Sequence, residues 1–254
     1  DSIKDDSLKL FINDKLLIKA LRKITFRDAK LEKLLTNIRK YICYKISENK
    51  EEISHSQLKF IIALGEQCFL NEYIYSFANE EKIFIKKILH RCIYEGINET
   101  YISILSCYFP LYKLLDQVPS LTTYISSYKS FEDLIRLQIL EPLKEKEISK
   151  TIERLGSIND NVSKKVKAQY EKNPYPRWRF GNHSKDQKFS ITQAINIDIH
   201  PNSINHNQGK KISKVLIAGC GTGNQILQAQ KYKDSQITGI DLSLSSLSYA
   251  QRKI

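Results

Sequence analysis

The chain has 254 residues, enough for one large or two ordinary domains, and its 41% hydrophobic and 27% charged content is that of a globular protein able to bury a core. No stretch reaches the ~18 uninterrupted apolar residues of a membrane span, no signal peptide is recognisable, and Cys43, Cys68, Cys92, Cys107 and Cys220 lack any C-x-x-C spacing. An odd count of unpaired thiols and scattered histidines argues against a disulfide framework or a zinc site and fits a cytoplasmic protein without membrane insertion; the net charge of +12 favours acidic partners without choosing among them.

Apolar residues recur at helical spacing from Leu8 to about Ile46, which predicts two amphipathic helices separated near Thr25 to Asp28. A third helix, Gln57 to about Phe77, is apolar nearly all round and so should be central to a bundle. Gln67, Asn71, Glu72 and Tyr73 lie inside it. A carboxylate in such a place must be hydrogen-bonded or shifted in pKa, which makes Glu72 a candidate catalytic carboxylate, with a structural network between helices as the other reading. Asn79, Glu80 and Glu81 open a fourth helix that Gly96 closes. Further helices are predicted over 99–115 and 131–140, with Pro110, Pro119 and Pro142 as breaks. The resulting domain plan is a helical domain over 1–155, a connecting element over 156–180, and an α/β domain over 181–254.

The connecting element is a helix from Ser157 to Glu171 followed by Asn173-Pro174-Tyr175-Pro176-Arg177-Trp178. Prolines alternating with aromatics force a stiff, extended segment. It could close a pocket, with Arg177 gripping a carboxylate, or act as a strap that packs Trp178. A helix or strand follows around Phe189 to Ile199, then a loop from Pro201 to Lys210. Between Asn173 and Gly239 nine Lys or Arg face three Asp or Glu, so this region is basic. No basic helix interleaved with aromatics is evident, and nucleic acid is not an expected partner.

The run VLIAGCGTGN, Val215 to Asn224, reads as a buried parallel strand turning sharply through Gly219, Gly221 and Gly223 into a helix. A second apolar strand, Gln236 to Ile240, ends on Asp241, placed to accept both hydroxyls of a ribose. The dinucleotide pattern wants glycine where Asn224 stands, so the spacing is G-x-G-x-G. A ligand-free turn and an NAD site remain alternatives. Methionine is absent even at position 1, and the chain stops at Ile254 after only two strands, so a fragment of a longer protein is expected.

The G-x-G-x-G loop resembles the first motif of class I S-adenosyl-L-methionine (AdoMet) methyltransferases. The runs SKKVKAQYEKNPYPRW, VLIAGCGTGNQ and GIDLSLSSLSYAQRK, with LGEQCFLNEYIY further upstream, resemble a bacterial family of these enzymes with a large helical N-terminal region, the rickettsial protein-lysine methyltransferases that act on an outer membrane protein. The resemblance implies an α/β Rossmann-like class I methyltransferase domain, of which this chain holds the first part, preceded by an all-α domain that dimerises. It implies AdoMet as cofactor, held by Gly219, Cys220, Gly221, Thr222, Gly223, Asp241 and Leu242, with Tyr170, Tyr175 and Arg177 closing the site. The implied reaction is methylation of lysine amines in an outer membrane protein substrate by a homodimer. Two alternatives stand beside it: AdoMet-dependent transfer to RNA or a small molecule, and a non-catalytic helical interaction module on a degenerate nucleotide fold.

Overall fold

The structure, a computed structural model, describes residues 10–49, 52–181, 188–205 and 212–254. Leu8, where the first predicted helix begins, and 206–210 of the predicted 201–210 loop lie outside the described residues. The chain divides into two compact units, Asp1–Leu143 and Lys144–Ile254. The sequence placed that boundary at 155/156. The difference arises because Glu145 pairs with Arg177 and Arg252 of the second unit.

In the first unit, short polar side chains begin most helices by accepting the backbone N–H groups that a helix start leaves unpaired. Asp14 caps α1 (Lys15–Leu21), Asp28 caps α2 (Ala29–Ser47), and Ser54 with Gln57 forms a capping box on α3 (His55–Leu70). Ahead of α4 (Asn79–Tyr94) the Glu81 carboxylate accepts from Ala78 N–H, and Asn98 caps α5 (Glu99–Leu105). Residues 60–70 of α3 are all buried, as its all-round apolar sequence requires, and α1, α5 and α6 (Lys129–Ile135) pack around it.

Three expectations are corrected here. First, α3 stops at Leu70 and does not run to Phe77, because Glu72 and Tyr73 turn into the left-handed region at φ 58° and 57°. Glu72 is thereby half-buried in a turn, and the fully buried carboxylate of α3 is Glu66, held by Arg22 at 2.8 Å. Second, the helix begun at Glu99 ends at Leu105 and does not reach Leu115; a separate 3-10 turn, Leu111–Leu114, follows Pro110.

Third, Pro142 does not break its helix. A π-helical turn, Arg136–Leu140, joins α6 to α7 (Glu141–Ile148), and Glu141 N–H reaches back to Arg136 O. The widened turn relieves the clash and missing donor that proline brings. It also aims Gln138 into the core. There its amide nitrogen donates to Gly65 O (2.8 Å) and Ser106 O (3.2 Å), while its oxygen accepts from Leu111 N–H and the Tyr73 hydroxyl. A Cβ on Gly65 would stand 1.9 Å from Ser106 Oγ, so α3 meets the end of α5 backbone to side chain at this point.

In the second unit, Asp160 caps α8 (Asn161–Lys172) by accepting from Ser163 N–H at 2.6 Å. Ser190 and Gln193 form a capping box on α9 (Ile191–Asp198), and Phe189 bridges to Tyr232. The strand β1 (Ser213–Ala218) runs parallel to β2 (Ser235–Ile240), in register from Ser213 opposite Ser235 to Ala218 opposite Ile240. The helix α10 (Asn224–Ala229) connects them, and α11 (Leu244–Lys253) follows β2. The expected fully buried strand is half-buried instead: Lys214, Leu216 and Ala218 are exposed while Ser213, Val215 and Ile217 are partly covered. Gly239 lets the layers close, since a Cβ there would meet Ile226 at 2.6 Å and Cys220 Sγ at 3.1 Å.

Candidate functional site at the end of the two strands

The three glycines of the loop sit at positive φ, 70°, 51° and 90° for Gly219, Gly221 and Gly223, a region costly for side chains with a Cβ. Their surroundings differ. A Cβ on Gly219 or Gly221 would meet nothing within 4 Å, so the backbone there borders open space. One on Gly223 would strike Ala250 at 2.8 Å, because α11 lies directly against the loop.

Asp241, at the tip of β2, is tied to this loop. One carboxylate oxygen accepts from Gly221 N–H at 2.8 Å and the other from Ser243 N–H at 2.8 Å. Each oxygen has a second lone pair, so the carboxylate keeps acceptor capacity for hydroxyl groups. Four of the loop amides are engaged: Gly219 N–H and Cys220 N–H both donate to Ile240 O, Gly221 N–H to Asp241, and Gly223 N–H to Cys220 O. A ligand that itself donates hydrogen bonds, through hydroxyls and an ammonium, meets acceptors that are still open.

The proline-aromatic segment is strapped onto the same loop. Thr222 is buried, its hydroxyl donates to Pro176 O at 2.7 Å, and its carbonyl accepts from the Trp178 indole N–H at 3.0 Å. Tyr249 on α11 completes the fastening, with its hydroxyl donating to Trp178 O and accepting from Trp178 N–H at 3.0 Å. Burial pushes the Tyr249 phenol up to about 12, against the pull of Arg177 and Arg252. Both guanidinium groups lie over its ring, at 5.6 and 4.9 Å.

The structure therefore brings Gly219, Cys220, Gly221, Thr222, Gly223 and Asp241 into one cluster. Cys220 and Thr222 face inward, and burial, then Asp241, pushes the Cys220 thiol up to about 11. Leu242, Tyr170 and Tyr175 are each about 40% exposed on the same unit. Arg177 is placed beside Glu145 (3.9 Å), a carboxylate that also takes Arg252 at 2.8 Å. Glu72 belongs to the helical unit. Sequence reasoning missed Ser243, Tyr249, Glu145 and Arg252. The spacing of Tyr249, Arg252 and Lys253 on one helix was a visible signal; nothing local pointed to Glu145.

No protein-family model matches the chain, and neither a curated protein nor a solved structure does. Its reading therefore rests on the site itself. Among the described residues no group of three or more His, Cys, Asp or Glu could hold a metal ion, and no helix is long and apolar enough to cross a membrane.

Proposed function

We propose that the second unit binds S-adenosyl-L-methionine across the glycine loop and Asp241, and that the protein transfers its methyl group to lysine side chains of a protein substrate. The observation that carries the reading is the 2.8 Å hydrogen bond from Gly221 N–H to Asp241, which fixes an acidic acceptor at the edge of a glycine loop bordered by open space. Asp241 would hold the ribose hydroxyls, the loop carbonyls would accept the ammonium, and Leu242 would lie beneath the adenine. Gly219 and Gly221 leave room for the backbone to approach closely.

Bound there, the cofactor supplies an activated sulfonium methyl, so the protein's work is to align the nucleophile and exclude water. The acceptor ammonium must first lose its proton to gain a lone pair. Glu72 is the one carboxylate put forward for that step, and it lies in the turn after α3, in the helical unit.

Calorimetric titration with the cofactor is the direct test, and absence of saturable binding to the folded chain overturns the proposal. A second reading, transfer to RNA, is favoured by charge: the second unit carries nineteen Lys or Arg against nine Asp or Glu, while the first has twenty-one against nineteen. Incubation with methyl-labelled cofactor and separate protein and RNA pools distinguishes the two, since label confined to RNA refutes lysine transfer.

A further inference from the structure

The helix α8 packs the wrong way round for an ordinary amphipathic helix. Its half-buried residues are Ser163, Lys167 and Glu171, and Glu171 is held to Ser245 of α11, accepting from the Ser245 hydroxyl through its carbonyl at 3.0 Å and from Ser245 N–H through its carboxylate. The polar side thus faces the unit. The apolar residues Val162, Val166 and Tyr170, at i, i+4 and i+8, form one ridge about 12 Å long that is exposed by 68, 38 and 41%. No residue of α8 is fully buried, although the pattern is one that normally marks a core-facing stripe.

The flank of the ridge turned away from the unit is cationic: at 100° per residue Lys165 and Lys172 fall there, while Lys167 belongs to the half-buried side. Long lysine stems can lie along an apolar surface while their ammonium groups reach outward, and tyrosine suits the boundary between apolar and aqueous layers. The surrounding unit carries +10 of the chain's net charge of +12.

From this arrangement we propose that α8 docks the second unit on an anionic phospholipid surface, its Val162–Val166–Tyr170 ridge entering the headgroup layer and Lys165 and Lys172 facing the phosphates. Nucleic acid would satisfy the lysines but has no use for two exposed valines. A second copy of this unit would bring like charge against like charge. A narrow convex ridge needs a deformable surface and no matching groove. Val162 and Val166 are not among the residues put forward for the cofactor site.

The test is flotation of the full chain with vesicles of phosphatidylcholine alone and with about one-third phosphatidylglycerol. Binding is expected only to the anionic vesicles, and should weaken with added salt. The variant V162S/V166S keeps the charge and removes the ridge, and since neither valine is buried it should fold normally by circular dichroism. It is expected to partition about tenfold less. Replacing Lys165 and Lys172 by glutamine should weaken binding by a similar factor. Equal binding of the serine variant and the wild type overturns the proposal, as does equal binding to neutral vesicles. Failure on both vesicle types, including the case where the chain instead shifts RNA or an acidic polypeptide, also overturns it.

Discussion

Replacing Asp241 by alanine separates the two tasks assigned to it. The carboxylate accepts from Gly221 N–H and Ser243 N–H, both at 2.8 Å, and hydrogen bonds to a charged group contribute about 1.5–3 kcal/mol each. Asp241 is only partly covered, so water replaces part of that loss, and the expected destabilisation is about 1–3 kcal/mol. The loss in cofactor affinity is larger. Two ribose hydroxyls donating to the carboxylate at ~1.5 kcal/mol each give ~3 kcal/mol, or about a hundredfold in Kd. The protein supplies its own reporter, since Trp178 is the one tryptophan and its indole N–H lies 3.0 Å from the loop carbonyl of Thr222. Titrating S-adenosyl-L-methionine while following tryptophan emission should give a saturable change in the wild type and a roughly hundredfold weaker one in Asp241→Ala. A folded variant whose Kd lies within about twofold of the wild type would refute the ribose assignment, because no two charge-assisted hydrogen bonds can be lost so cheaply.

The glycines of the loop should respond differently. Gly223→Ala forces a Cβ to 2.8 Å from Ala250 at φ 90° and should lower stability by roughly 2–4 kcal/mol. Gly221→Ala meets only backbone strain, about 1–2 kcal/mol, and should act chiefly on cofactor binding; urea denaturation showing equal losses would contradict the packing described. Arg22→Ala takes the guanidinium from the fully buried Glu66 and should cost about 3 kcal/mol, partly recovered in the Arg22→Ala/Glu66→Gln double variant; a loss under ~0.5 kcal/mol in urea would show that the pair holds nothing. Burial pushes the Cys43 and Cys92 thiols up to about 12, so the fold keeps them protonated where the unfolded chain ionises, near ~8.5. Stability should be intact below that value and fall between it and about 12, by up to ~1.4 kcal/mol per pH unit per thiol. Denaturation midpoints across that range should flatten in a Cys43→Ala/Cys92→Ala variant, and an unchanged slope would count against the assignment.

What could be read from the sequence was local or periodic. The start of the fourth helix at Asn79 was legible because the polar residues that open a helix and the helix beside them are contiguous in the chain. The glycine loop and Asp241 were legible for a related reason: a strand–helix–strand unit converts a fixed sequence separation into adjacency, and Asp241 does reach Gly221 across that separation. The misses share the opposite cause. Pro142 reads as a stop because proline's rule assumes an α-helix, and the π turn just ahead of it exists to seat Gln138, whose partners on Gly65, Ser106, Leu111 and Tyr73 come from four other segments. Glu66 sits one residue from the polar Gln67 that drew attention, yet only the fold reveals that Arg22 covers it.

Arg177 shows the same limit at the candidate site and sharpens the reading of that site. Its residue type and rigid context pointed to a ligand carboxylate, and a carboxylate of the chain itself stands beside it: Glu145, shared with Arg252, while both guanidinium groups lie over the Tyr249 ring. The same Tyr249 fastens Trp178 to α11, and Trp178 and Pro176 fasten the strap to Thr222 of the loop. That arrangement holds the loop's inner residues in place and leaves Gly219, Gly221 and Asp241, on the open side, as the groups able to meet a ligand.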